Sequence, residues 1–330
     1  MDIQDLKAWL ELPRDIVILS HRNPDGDAIG SSLGLAMYLR KKFHKVQVIF
    51  PSEYPVVFEY LDHVKDILIY DLKPNESKQA VEKADTIFCL DFNGLDRIDK
   101  LGESVQFSKA KKILIDHHLD PEPFSDYEFL DTTASSTSEL VYLWIKEMGD
   151  IHMADVRIGE ALFTGIITDT GSFKYNTRPM TFRIAADLKE LGVDDFYLQD
   201  QIFNALKSKH LRLLGHCLAN RMEIIEEHEF AIIHLTKKDY IDFDIQRGDT
   251  EGIVNHLLYV KNIQIAAFVT EQPTIIKLSL RSKGDISVQE VATKYFNGGG
   301  HKNAAGGGVY ASLHDVLEKL KRVLPAYTKK

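Results

Sequence analysis

Three times within residues 16–118 the chain runs through a short, largely apolar stretch and into an acidic or histidine-bearing segment. Residues 16–19 lead into HRNPDGDAIGSS, residues 86–90 end at Asp91, and residues 112–115 end at Asp116-His117-His118. Runs of four or five apolar, largely β-branched residues bounded by turn signals predict buried strands. Two further runs, 46–50 and 67–70, predict strands of the same kind, and helical patterns lie between them, notably over 77–83 and 135–146. Short apolar strands alternating with helices predict a parallel sheet covered on both faces, an α/β arrangement. In such a sheet the carboxyl ends of the strands line one crevice, and ligands bind there. His21, Asp25 and Asp27, then Asp91, then Asp116, His117 and His118 are thus predicted to converge although nearly a hundred residues separate them.

The rest of the chain divides by texture. Residues 2–11 predict a helix ended by Pro13, and HRNPDGDAIGSS reads as a polar loop before a helix over 33–41. Residues 154–168, 180–192 and about 195–223 read as helical, the last as one long connecting segment. From Phe230 onward FAIIHL, QIAAFVT and TIIKLSL predict strands with fewer helices between them. The expected organisation is a parallel-sheet domain over 1–192, a helical connector over 193–224 and a smaller α+β domain over 225–330. A length of 330 residues suits two domains.

Composition narrows the function classes. With 49 acidic against 40 basic residues the net charge is −9, which argues against coating long nucleic acid, where many phosphates must be neutralised. Two cysteines, Cys89 and Cys217, make no disulfide framework and predict a reducing cytoplasm. The N-terminal stretch lacks a basic segment followed by an apolar run, and no stretch approaches 18 apolar residues, so neither a signal peptide nor a membrane span is expected.

Carboxylates and imidazoles gathered in one crevice repel unless cations sit between them. In an extended loop, Asp25 and Asp27 would point to different sides and could serve two ions, and Asp91 could bridge both with its two oxygens. An oxygen and nitrogen donor set without thiolate suits two divalent cations, manganese first, with magnesium or cobalt as alternatives. Two ions about 3.5–4 Å apart would clamp a phosphoryl group and activate water. A lone DxD or D-H-H is weak; the weight lies in their recurrence at successive strand ends.

HRNPDGDAIGSSLGL, LDFNGLDRI, LIDHH and GIITDTGSFKY resemble the four ordered motifs of the DHH phosphoesterase superfamily. The later LSLRSKG and FNGGGHKNAAGG resemble the DHH-associated domain of its nucleotide-cleaving, RecJ-like branch. The pattern is most similar to the bifunctional oligoribonuclease and 3'-phosphoadenosine 5'-phosphate (pAp) phosphatase group, with no departure at an expected ligand position. The resemblance implies one metal on His21, Asp25 and Asp91 and a second on Asp27, Asp91, His117 and Asp169. Asp169 by itself would read as a turn or capping residue. His118 would face the phosphate, as charge stabiliser or acid, or else serve in packing, and Asp116 would orient a neighbouring histidine.

The glycine cluster at Gly298, Gly299 and Gly300, followed by His301, alone reads as a flexible turn. With the resemblance it implies a substrate clamp, in which Arg281 and His301 take phosphate and glycine backbone approaches the nucleotide. A catalytic crevice on one domain and a clamp on the other would favour substrates with two anionic handles: short RNA or pAp. Cyclic di-AMP or its linear product pApA is the alternative, and a binding protein without turnover is the reading from another class. Phe173 and Tyr175 read as packing residues, though one could stack on a base. The oligomeric state stays open, a homodimer included.

Overall fold

A computed structural model describes residues 3–204, 207–246 and 248–328. The chain divides into two compact units, 1–205 and 206–330.

The first unit runs α1 (Ile3–Trp9), β1 (Asp15–Leu19), α2 (Gly26–Lys41), β2 (Lys45–Phe50), β3 (Leu68–Ile69), α3 (Pro74–Lys83), β4 (Thr86–Leu90), α4 (Lys100–Phe107), β5 (Lys111–Asp116) and β6 (Tyr127–Leu130). Four helices follow: α5 (Thr137–Met148), α6 (Val156–Asp169), α7 (Pro179–Glu190) and α8 (Asp195–Phe203). The six strands form one sheet in the order β3-β2-β1-β4-β5-β6, and every neighbouring pair is parallel. Alternation along the strands explains why their sequences are apolar throughout. Ile16, Ile18, Phe88, Leu90, Ile113 and Ile115 enter the core shared with α2, α5 and α6. Val17, Leu19, Ile87, Cys89 and Leu114 enter the core on the other face, with Val81 of α3 and Leu101 and Val105 of α4.

The segment expected to be a polar loop is helical from Gly26. Asp25 is its N-cap, with extended backbone, and accepts the amides of Asp27 (3.0 Å) and Ala28 (3.1 Å). A carboxylate in that position satisfies amides that have no partner within the helix, so NPDGD opens a helix rather than spacing one off. Helix α2 then crosses α6 at very short range. A Cβ on Gly26 would lie 2.3 Å from Thr168 Oγ1, one on Gly30 2.3 Å from the Ala161 carbonyl, and one on Gly34 2.6 Å from Leu162 Cδ2. Glycines four apart share one helix face, and here that face is the crossing.

The long helix expected over 195–223 is two helices. Helix α8 ends at Phe203, with Asn204 as cap. The next helix begins after Lys207, whose amide donates to His210 Nδ1 three residues on, a helix-start contact. Ala205 and Leu206 lie outside the described residues.

The second unit runs α9 (Ser208–Asn220), β7 (Met222–Ile225), β8 (Phe230–Leu235), α10 (Lys237–Asp242), β9 (Ile265–Glu271), β10 (Ile276–Ser282), α11 (Val288–Tyr295), β11 (Gly299–His301), β12 (Ala304–Val309) and α12 (Leu313–Val323). Its sheet has the order β11-β12-β10-β9-β8-β7, with β8 and β9 parallel and the other pairs antiparallel. Phe230, Ile232, Leu278 and Leu280 pack with α11 and α12, and Ala231, Ile233 and Phe268 pack with Leu213 and Cys217 of α9. The glycine cluster read as a loop is the β11–β12 hairpin of this sheet. Among the described residues no helix is long and apolar enough to cross a membrane.

Candidate active site

Strand order reverses between β1 and β4, the point at which an open parallel sheet leaves a crevice at its carboxyl edge. His21 follows β1, Asp91 follows β4, and Asp116 and His117 end and follow β5, three adjacent strands. The remaining donors arrive on helices. Asp25 caps α2, Asp27 lies in its first turn, and Asp169 ends α6. The glycine-lined crossing of α2 and α6 brings Asp27 and Asp169 to the same histidine.

Ligand atoms of His21, Asp25 and Asp91 form one close group, those of Asp27, His117 and Asp169 a second, and those of Asp91, His117 and His118 a third. Asp91 sits between them. Its Oδ2 lies 3.3 Å from His21 Nε2, and its Oδ1 lies 3.6 Å from His117 Nε2 and 3.8 Å from His118 Nδ1. His117 Nε2 is also 3.6 Å from Asp169 Oδ2. The Asp91 backbone has φ +63°, a left-handed conformation unusual for a residue other than glycine and one that clusters at functional sites.

Each histidine is oriented through Nδ1. That atom lies 2.9 Å from the Arg22 carbonyl in His21, 3.3 Å from the Ala134 carbonyl in His117 and 2.7 Å from Asp116 Oδ1 in His118. An acceptor at Nδ1 fixes the tautomer, and in His21 and His117 it leaves Nε2 facing Asp91, whereas in His118 Nδ1 itself lies nearest Asp91. Asp116, the residue that the resemblance implied would orient a neighbouring histidine, is fully buried beside His118.

Asp27 is held by residues that sequence reasoning missed. Its carboxylate accepts the amides of Thr137 (2.6 Å) and Ser138 (2.8 Å) at the start of α5, and Thr137 Oγ1 donates to Asp91 Oδ1 (3.1 Å). The α5 start is tied down by fully buried Glu139. That carboxylate accepts from Ser135 Oγ (2.6 Å), Thr181 Oγ1 (2.6 Å) and Arg178 Nε (2.5 Å), and Arg178 also reaches Asp131 (2.6 Å). The S-x-x-E spacing of Ser136 and Glu139 was the available signal.

The electrostatics fit a cation site. Burial, and then the Asp91 charge, push Asp27 up to about 7. Burial and the Asp27 charge push Asp169 well above the usual carboxylate range. Burial opposes charge on His21, yet its hydrogen bond to Asp91 and the charges of Asp91 and Asp25 carry it up to about 9. Burial alone would raise Asp91, but the His21 hydrogen bond and the three histidine charges hold it below the usual range. Four carboxylates against three imidazoles, three of the carboxylates (Asp25, Asp27 and Asp169) pushed up toward neutrality, make a donor set whose repulsion divalent cations relieve. Its oxygen and imidazole composition, without thiolate, suits hard to borderline metals.

In the second unit Arg281 and His301 both stand opposite Ala304 in the sheet register. Directly opposed residues share a face, so Arg281, Ala304 and His301 form a row with the small residue in the middle. The glycines divide by role. A Cβ on Gly298 would lie 1.9 Å from the Gly306 carbonyl, and one on Gly300 (φ +135°) 2.6 Å from the Ala304 carbonyl, whereas Gly299 faces open space. Asn303 pins the turn by donating to Ser282 Oγ and to the Gly284 and Ile286 carbonyls.

Comparison with known proteins agrees with this geometry. Residues 15–166 match the DHH family, N-terminal domain, and residues 231–329 match the DHHA1 domain. The chain is 31% identical to the bifunctional oligoribonuclease and PAP phosphatase NrnA of Thermus thermophilus, over 94% of this chain and 88% of that protein. It is 28% identical to the protein of the same name from Bacillus subtilis, over 93% of each. A crystal structure of an exopolyphosphatase-related protein from Bacteroides fragilis superposes with a TM-score of 0.96 at 39% identity, covering 99% of this chain and 96% of that one. The chain belongs to the DHH family, with a DHH domain followed by a DHHA1 domain.

Proposed function

We propose that this protein hydrolyses short oligoribonucleotides to mononucleotides and pAp to AMP at the crevice around Asp91. It is a phosphoester hydrolase. One observation carries the finer reading. All six donor side chains stand together at the switch point of the sheet, in a chain that spans 93% of a bifunctional oligoribonuclease and PAP phosphatase.

His21, Asp25 and Asp91 would hold one divalent cation, and Asp27, Asp91, His117 and Asp169 a second, with manganese preferred and magnesium or cobalt as alternatives. When bound, such ions neutralise phosphate charge and lower the pKa of water. Asp91 Oδ2 faces His21 and its Oδ1 faces His117, so it would have an oxygen for each ion. The Thr137 and Ser138 amides fix the Asp27 carboxylate, so it need not reorganise during reaction. Burial opposes protonation of His118, but the Asp116 hydrogen bond and the Asp91 charge raise its pKa above the ordinary histidine value. His118 would therefore donate a proton to the leaving oxygen, through Nε2 because Asp116 holds Nδ1. In the second unit Arg281 and His301 would bind a substrate phosphate, with Gly299 as the glycine open to ligand. The buried thiols Cys89 and Cys217 suit a reducing, cytoplasmic setting.

The test is product analysis with manganese, using a 5'-labelled RNA dinucleotide and, separately, pAp. Mononucleotide from the first and AMP from the second are expected. Both intact, with cyclic di-AMP or pApA cleaved, would replace the substrate assignment while leaving the site in place. Stoichiometric binding without product would establish a binding protein instead.

A further inference from the structure

The chain turns left-handed two residues after Asp169, past a right-handed Thr170. Gly171, Ser172 and Phe173 have φ of +55°, +57° and +64°, and Asn176 follows at +50°. Three successive residues in this region, one of them bulky, persist only where the surroundings impose them. Here the Ser172 amide donates to the Ile167 carbonyl (2.7 Å), and Ser172 Oγ donates to Gln199 Oε1 (2.6 Å). The amides of Lys174 and Tyr175 both donate to the Thr170 carbonyl, at 2.9 and 2.8 Å.

This turn sorts two aromatic residues that look alike in sequence. Phe173 is packed edge-on against Phe163 and stacked on Phe182. Tyr175 is 44% exposed. Its ring rests on Gly171, where a Cβ would lie 2.9 Å from Cδ2 and Cε2. The ring is therefore laid against backbone only two residues from Asp169, whose carboxylate lies 3.6 Å from His117 Nε2. Lys174 Nζ lies 5.0 Å from the ring centroid.

We propose that Tyr175 is the stacking platform for the base of the nucleotide bound beside Asp169. The proposal rests on the nucleotide reading above and deepens it. An exposed aromatic face beside a phosphate site accepts any base, because every base presents a π-face. The platform makes the site tolerant of base identity while favouring nucleotides over baseless phosphates.

The experiment is calorimetric titration of the full chain, with manganese, by AMP and by ribose 5-phosphate. Wild type should bind AMP about 5- to 100-fold more tightly than ribose 5-phosphate. Tyr175→Ala should bring the two within about threefold, leaving the sugar phosphate's affinity unchanged. Tyr175→Leu serves if the alanine variant fails to fold, since it keeps apolar cover without a π-face. Tyr175→Trp should keep the ratio, and its added fluorescence should be quenched by AMP and not by ribose 5-phosphate. An unchanged ratio in the alanine or leucine variant, or fluorescence unmoved by saturating AMP, overturns the platform alone. Failure of wild type to bind either ligand overturns the nucleotide reading and the platform with it.

Discussion

Glycines concentrate in two regions of this molecule and do different work in each. On α2 they are sparse and spaced: Gly30 meets the α6 backbone, and Gly26 and Gly34 leave room for the Thr168 and Leu162 side chains. The consequence is chemical, because that crossing delivers Asp27 and Asp169 to His117. In the second unit they are dense and conspicuous in FNGGGHKNAAGG, yet Gly298 and Gly300 are explained by neighbouring carbonyls and only Gly299 opens outward. A visible glycine run is thus mostly hairpin packing, whereas a quiet glycine face assembles part of the candidate metal site.

The comparison breaks first at its chemical end. Asp91→Ala should lower turnover by about 10³-fold or more, because losing a ligand proposed to serve two ions would remove several kcal/mol of transition-state stabilisation. The metal-free thermal midpoint should stay within a few degrees of wild type, and retained turnover would remove the bridging role. Gly30→Ala tests the crossing. A methyl facing a carbonyl at that range must force the helices apart, costing about 1–3 kcal/mol in denaturant unfolding. Manganese affinity should fall with stability, because Asp27 and Asp169 separate. Normal affinity in a destabilised Gly30→Ala would detach the glycine face from the metal site.

In the second unit, Gly298→Ala and Gly299→Ala separate packing from binding. The first should destabilise by about 1–3 kcal/mol through overpacking. The second should leave the denaturation midpoint unchanged while raising KM severalfold. Equal effects of both would return the whole glycine run to one role.

The smallest effect is in pH. Asp27 and His21 are both raised in the folded chain, to about 7 and about 9. Each therefore stabilises the metal-free protein fully below its unfolded pKa, and that contribution is lost as pH rises through 7 and then 9. Metal binding competes with those protons. The gain in thermal midpoint on adding manganese should thus grow between about pH 5 and pH 9, at roughly 2–4 °C per kcal/mol. A gain that is flat or shrinks with pH would contradict the assigned ligands.

How far the sequence could be read follows from the same physics. Strands β1, β2, β4 and β5 were legible because burial on both faces makes their runs continuously apolar, and Asp91 and His117 were legible as strand-end residues. The α2 start was not, since NPDGD carries turn chemistry that serves equally as an N-cap. Asp25 and Asp27 do join different groups, but because one caps the helix and the other lies in its first turn, not because an extended loop alternates. Asp169 needed the resemblance, because a helix-end aspartate carries no signal of the partner helix it packs beside. Thr137, Ser138, Glu139 and Arg178 escaped notice because their role is to hold Asp27 and Asp91, which only tertiary contacts reveal.

The most direct test of the central claim is the manganese stoichiometry of wild type and Asp91→Asn, measured by calorimetry and metal analysis on the full chain. Two ions per wild-type chain, with loss of tight binding at both positions in the variant, is the predicted result. A single ion in wild type, or two ions retained in an active Asp91→Asn, would contradict it.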